Sequence, residues 1–398
     1  MIETKRMIIM SLFDWEQRKF ESLIYPEKIK NKNNLQLPAY SISNKNGFIA
    51  QTDQFGKDNT YSKTDKKTNY IVNPGAFAYN PARINVGSIG YQNLATPVLV
   101  SSLYEVFKTN SQINDLFLIY WFKTDKFFNQ IKKYEEGGVR QYYFLDKLLF
   151  SEIIIPKDAR EQQKISKILK KLDYLFSLQQ RKLEQLKLLK RMISLSIYPN
   201  FNDRIPIKFN LNSTWNKKKL KNITNYKNGT THEQHQLLKG KFELINLNSI
   251  SKEGRLKSSG KYINQQFPTL RKNDIVMILS DIAHGQLIGT SAVIPTNNKY
   301  ILNQRVASLS PNENLNAVFI SKYINLKQRY FKKMAAGMSQ INLSKKDVED
   351  FKLWVPNFKE QTKIANLLIN FDLIEKNKNK KISYLLNLKK FLLQSLFL

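Results

Sequence analysis

A chain of 398 residues has room for two or three domains with cores of their own. With 42% hydrophobic and 12% aromatic residues it reads as packed structure, not a disordered segment. It has no Cys, which excludes disulfides, thiolate metal sites and Cys nucleophiles. No stretch of about 18 apolar residues suggests a membrane-spanning helix. Sixty-four Lys and Arg against 32 Asp and Glu leave a net charge of +32. Such a surplus points to a polyanionic partner, because basic side chains displace counterions from phosphates. Part of it has a blander source, since the chain is crowded with Lys, Asn, Ile and Phe, as AT-rich genomes produce. An anionic membrane fits less well, because no basic segment carries a clean apolar face.

In chain order, the first 13 residues hold a short apolar patch from Met7 to Phe13, with Met1, Met7 and Met10 each offering a start. Glu3 precedes the patch and no small-residue cleavage site follows, so no signal peptide is read. Segment 28–69, rich in Lys, Asn, Thr and Asp, reads as loop-heavy. Residues 115–134 read as a helix and Ile153–Ile155, before Pro156, as a strand. From Glu161, apolar residues at Ile165, Ile168, Leu169, Leu172, Leu175, Phe176, Leu183, Leu186, Leu189 and Ile193 keep a spacing of three and four. Neither Pro nor Gly interrupts this run before Pro199. Some 35 helical residues span roughly 50 Å, well beyond an average globular helix of about 11–12 residues. Residues 200–214 form a linker with Pro206 and Asn212. Beyond it, 274–279 and 292–294 read as strands, 317–334 as a helix, and 352–355, before Pro356, as a strand.

The second half repeats the first. At an offset of 199 residues, Glu161, Gln162, Ile165, Leu169, Asp173, Leu186 and Lys190 match Glu360, Gln361, Ile364, Leu368, Asp372, Leu385 and Lys389. Gly138 and Gln141 match Gly337 and Gln340, and Gly90 matches Gly289, at the same offset, whereas Trp15, Lys19 and Pro156 match Trp215, Lys219 and Pro356 at 200. The second long helix repeats the apolar stripe, and both copies interrupt it at one place, Gln179 and Lys378. A stripe of that length needs a partner, and the nearest candidate is the other copy. Ile165, Leu172, Leu186, Ile364, Phe371 and Leu385 are therefore expected between the two helices. The remaining residues of each half read as mixed α/β.

Enzyme signatures miss. Gly254, Gly260 and Lys261 have the wrong spacing for a phosphate loop, and Tyr262 stands where Ser or Thr is required. Asn80-Pro81-Ala82-Arg83 is similar to the Asn-Pro-Pro-aromatic loop of adenine methyltransferases but lacks its second Pro and its aromatic residue. His232, His235 and His284, the three histidines of the chain, read as exposed loop residues, short of the three or four ligands a metal site needs. Asp350-Phe351-Lys352 has a nuclease-like acid-x-Lys pattern that its repeat, Ser151-Glu152-Ile153, does not share.

The chain resembles the specificity subunit of type I restriction–modification enzymes. The resemblance rests on Trp15-Glu16-Gln17-Arg18-Lys19, on segment 80–90, and on the series Gly-x-x-Gln, Pro, Glu-Gln-x-Lys-Ile, Leu and Asp at 138–173 and again at 337–372. It covers nearly the whole chain. It implies a first target recognition domain at 15–156, a spacer helix at 157–199, the linker at 200–214, a second recognition domain at 215–356 and a second spacer helix at 357–398. The implied architecture is mixed α/β, with two recognition domains separated by a pair of long antiparallel helices in a pseudo-twofold tandem repeat. The implied partners are double-stranded DNA, two copies of a DNA adenine methyltransferase subunit, and ATP-dependent restriction subunits. Chemistry with S-adenosylmethionine, ATP and magnesium would belong to those partners, leaving this cytoplasmic chain without cofactor or catalysis. Two unlike readers imply a bipartite, asymmetric target with an unread gap. The alternatives are a stand-alone nuclease or methyltransferase, and a coiled-coil nucleic-acid scaffold outside restriction.

The candidate DNA contacts fall in loops 80–90 and 280–289, which hold equivalent places in the two halves. They contain Arg83, Asn85, Ser88, His284 and Gln286, types that bond base edges or phosphates. Arg140, Gln141, Ser339 and Gln340 lie in the repeated Gly-x-x-Gln turns. Turns shared by readers of different sequences suit backbone contact or turn formation. The bland reading of all nine is a solvated loop residue.

Overall fold

The computed structural model describes residues 14–44, 46–55, 65–134, 142–199, 214–281, 285–335 and 341–397. They fall into two compact units, Met1–Gln180 with Lys380–Leu398, and Arg181–Asn379.

The first unit runs β1 (Trp15–Lys19), β2 (Ile24–Pro26), β3 (Ile29–Lys30), β4 (Tyr40–Ser43), β5 (Gly47–Ala50), α1 (Gln51–Phe55), β6 (Tyr70–Val72), β7 (Phe77–Tyr79), β8 (Ile89–Tyr91), β9 (Val98–Val100) and β10 (Glu105–Thr109). It continues with α2 (Asp115–Trp121), α3 (Asp125–Tyr134), α4 (Leu145–Phe150), β11 (Glu152–Pro156) and the long α5 (Ala159–Ile197). The segment expected to be loop-heavy thus contributes three short strands and a helical turn. Antiparallel pairing gives a sheet in the order β2-β10-β7-β8, a second in the order β3-β6-β9, and the pairs β1-β11 and β4-β5. The triplets of β7 and β9 are buried throughout. The core is aromatic: Phe77 stacks on Phe107 with ring centroids 5.1 Å apart, and Phe122 meets Phe127 edge-on at 4.7 Å.

The single helix expected over 115–134 is two. α2 starts on Asn114, whose side-chain oxygen accepts the Phe117 N–H. It stops where the Thr124 hydroxyl donates to the Trp121 carbonyl. The same hydroxyl then accepts the Phe127 N–H and opens α3. The break turns both Phe122 and Phe127 into the core.

The second unit repeats this plan with β12 (Asn216–Lys219), β13 (Thr224–Asn228), β14 (Phe242–Ile245), β15 (Tyr262–Ile263), β16 (Ile275–Ile278), β17 (Ser280–Asp281), β18 (Ser291–Val293), β19 (Tyr300–Leu302) and β20 (Val306–Pro311). Then come α6 (Ala317–Leu326), α7 (Gln328–Met334), β21 (Ile341–Asn342), α8 (Lys345–Glu349), β22 (Lys352–Val355) and the long α9 (Phe358–Ser395). The sheet β13-β20-β16-β18 has the order of β2-β10-β7-β8, and β12-β22 repeats β1-β11. Here too the expected helix over 317–334 divides, at Lys327.

The repeated Gln has a structural reason. The buried Gln162 amide accepts the Asn114 N–H at 2.8 Å and donates to the Pro156 carbonyl at 2.9 Å. Gln361 accepts the Asn316 N–H at 2.9 Å and donates to the Pro356 carbonyl at 2.8 Å. Each buried glutamine satisfies both of its polar groups while tying a long helix to the strand before it and to a helix cap.

α5 has 39 residues and α9 has 38, and each contributes to both units. In the first unit Asp173 meets Lys389, and Phe397, just past α9, packs on Phe117 at 4.9 Å beside Ile165 and Leu169. In the second unit Lys190 meets Asp372, and Tyr198 packs on Phe319 at 5.1 Å beside Ile364 and Leu368. Within each unit the two helical segments therefore run antiparallel. Of the residues expected between the helices, Ile165, Ile364 and Leu385 are buried, and Leu172, Leu186 and Phe371 are half-buried.

Candidate nucleic-acid interface

In each unit, one end of the four-stranded sheet gathers the candidate segments. In the first, β7 leads into a loop closed by the Asn80 N–H on the Ser88 carbonyl and the Ser88 N–H on the Arg83 carbonyl. Ile84 plugs it from below and is wholly buried. Gly87 at φ +84° makes the tight exit that most side chains would resist. Arg83 and Asn85 are exposed by this construction. Ser88 is buried, its hydroxyl donating to the Ile42 carbonyl at 2.7 Å, so it shapes the loop. The segment following the Gly-x-x-Gln motif docks here, with the Tyr143 N–H on the Pro81 carbonyl at 3.1 Å.

In the second unit β16 leads into the equivalent loop. β17 pairs with β21, Ser280 opposite Asn342 and Asp281 opposite Ile341, so the segment after the second Gly-x-x-Gln motif is again at the loop's base. The Gln328 side chain donates to the carbonyls of Gln286 and Ile288, at 3.0 and 2.9 Å. Gln286 is exposed, and its side-chain carbonyl accepts a hydrogen bond from Lys252 at 2.7 Å. Gly289, at φ +73°, lies so close to Phe331 that a Cβ would come within 2.5 Å of that side chain. Arg140, Gln141, His284, Ser339 and Gln340 lie outside the described residues.

The near-miss motifs have structural roles. Asp350 is held below the usual carboxylate range by Lys219, whose ammonium donates to it at 2.7 Å. A Cβ on Gly254, at φ +69°, would come within 2.1 Å of the Asn325 amide, so this glycine permits close packing on α6. His235 is exposed as expected, but His232 is buried, its ring 4.4 Å from that of Phe267. Burial first, and then His235, lower its pKa. Among the described residues no cluster of His, Cys, Asp and Glu is suited to a metal ion, and no helix is long and apolar enough to cross a membrane.

Sequence reasoning missed Arg305. It is exposed in the turn between β19 and β20, and its carbonyl accepts the Leu279 N–H at 2.9 Å, next to the start of the 280–289 loop. Strand patterning on either side signals a turn there, but not its conformation.

Comparison with known proteins supplies the family. No curated protein matches. Solved structures of type I restriction–modification proteins share the fold. The S subunit of the type I restriction–modification system of M. genitalium is 16% identical over 97% of this chain and 96% of its own, with a TM-score of 0.61. A chain from a structure of type I restriction–modification assembly and conformational transition is 13% identical over 96% of each chain, with a TM-score of 0.60. The HsdS subunit of Thermoanaerobacter tengcongensis is 14% identical over 96% of each chain, with a TM-score of 0.51. The model of the type I restriction modification DNA specificity domain matches residues 14–188 and again 212–384. The chain therefore belongs to the type I restriction–modification specificity subunits, with the specificity domain present twice.

Proposed function

We propose that each unit reads one DNA half-site and that the chain gives its complex a bipartite, asymmetric address with an unread gap. The observation that carries this reading is the repeated sheet order, β2-β10-β7-β8 and β13-β20-β16-β18, with unlike loops at the same end of each sheet. A shared frame sets the reader on its partner, and unlike loops read unlike bases. Arg83 and Asn85 serve the first half-site and Gln286, with His284, the second. Arg140, Gln141, Ser339 and Gln340 serve the DNA backbone from the shared Gly-x-x-Gln motifs. The recognition domains are assigned to 15–156 and 215–356. The chain itself is non-catalytic and works in the cytoplasm. Its partners are two copies of an adenine methyltransferase subunit, which modify the site, and ATP-dependent restriction subunits, which cleave.

Long-read mapping of methylated adenines with and without this gene tests the proposal. The expected result is one gapped, asymmetric motif that disappears with the gene. An unchanged methylation pattern, or methylation or cleavage by the purified chain alone, overturns it.

A further inference from the structure

We propose that Arg305 is a specificity-determining residue that reads a base edge in the half-site of the second unit. The inference rests on the DNA-reading function proposed above. Arg305 has φ +69°, in the left-handed region that Gly and Asn fill readily and other side chains rarely adopt. The turn is bolted on every side. The buried Asn303 donates its N–H to the Ile245 carbonyl at 3.0 Å, and its side-chain oxygen accepts the His232 N–H at 3.1 Å. The Gln304 amide donates to Glu233 at 2.5 Å. The Gly229 N–H donates to the Val306 carbonyl at 3.0 Å. Gly229 itself is pressed on the turn, since a Cβ there would lie 1.9 Å from the Asn303 carbonyl oxygen. A rigid frame thus holds an arginine in a strained backbone state, and strain of this kind collects at functional sites. The exposed guanidinium has neither an ion pair nor a hydrogen bond to another described residue.

The place of the turn specifies the ligand. Leu279, bonded to the Arg305 carbonyl, immediately precedes Ser280 and the loop bearing Gln286, so Arg305 stands at the candidate DNA edge. The equivalent turn of the first unit, between β9 and β10, presents Leu103, 77% exposed. A phosphate anchor is needed equally by both readers and would be kept in both. A residue that is a donor fork in one reader and an alkyl tip in the other suits bases, which differ between half-sites. The guanidinium fork matches the N7 and O6 acceptors of guanine in the major groove.

The test uses the full chain with its methyltransferase, as wild type, Arg305→Gly and Arg305→Lys. Readouts are the methylated motif, rates on duplexes altered one base pair at a time, salt dependence and thermal midpoint. Glycine accepts the left-handed backbone, so Arg305→Gly should keep or raise the midpoint. It should lose about 10- to 100-fold discrimination at one base pair of the second half-site and none in the first. Arg305→Lys should lose it too, because an ammonium has no fork. Unchanged discrimination overturns the inference. So does a uniform loss across all sequences with a shallower salt dependence, the mark of a phosphate contact. A change confined to the first half-site also overturns it. If the wild type has no bipartite motif, the parent reading fails first and this one with it.

Discussion

Lys190 is ion-paired with Asp372, and their counterparts 199 residues away, Lys389 and Asp173, form the same pair with the donating and accepting helices exchanged. The neighbours differ. Lys322 and Arg255 also reach Asp372, whereas the Tyr120 hydroxyl donates to Asp173 at 3.0 Å. The exchanged pair fixes an antiparallel register in both units, and the unlike neighbours give the two pairs different energetics.

Asp372 should make stability depend on pH. Burial raises its pKa, but Lys322 and Lys190 outweigh burial and leave it below its ordinary value. A depressed carboxylate stabilises the fold above the unfolded value, about 3.9. That stability is lost as pH falls through the lower folded value. The site is partly open to solvent, so Asp372→Asn should cost only about 1–2 kcal/mol at neutral pH. Urea titrations of both proteins from pH 7 to pH 3 should show the gap closing at the acid end; a constant gap would remove Asp372 as its cause.

The aromatic residues that end the helices should each hold one unit. Phe397→Ala should destabilise the first by about 3–5 kcal/mol, and Tyr198→Ala the second by a similar amount. Amide exchange read unit by unit checks this: each change should loosen the unit that contains it more than the other.

Charge placed along the helices should break assembly. Leu385 is buried and Leu186 half-buried, whereas Lys187 is exposed and pairs with Glu184 within its own helix. Leu186→Asp with Leu385→Asp should abolish methylation by the complex, and Lys187→Asp should leave it intact. Equal activities would deny the helix pairing an assembly role.

A fragment of residues 1–199 should dimerise and redirect methylation. In such a pair Lys190 takes the place of Lys389 beside the other copy's Asp173, and Tyr198 takes the place of Phe397 against its Phe117. With the methyltransferase, the fragment should mark a gapped palindrome built from the first half-site twice. Methylation of the original asymmetric site would refute one half-site per unit.

The repeat and the long helices were legible because each signal is local or a fixed offset. Even the crossover was marked: Gln179 and Lys378 interrupt the stripe next to Gln180 and Asn379, where the chain passes from one unit to the other. What stayed hidden depends on residues distant in sequence. His232 sits in a polar stretch typical of an exposed loop, and Phe267, far along the chain, covers it. Periodicity carried smoothly through 115–134, and only Thr124 turning its hydroxyl onto the backbone divides the helix. Arg305 was hidden for the same reason: its unusual backbone is imposed by Leu279, Ile245 and Gly229, not by its immediate neighbours.

The placement of Phe397 also orders events at the ribosome. This residue belongs to the core of the first unit, beside Phe117 and Ile165. A nascent chain can complete β2-β10-β7-β8 early, yet that core stays open until residue 397 has been synthesised and has left the exit tunnel. The second unit's core draws on Tyr198, which emerges before Phe319 and Tyr323 of α6, against which it packs. The later-translated unit can therefore close first, leaving the earlier one waiting with an uncovered aromatic face that invites chaperones.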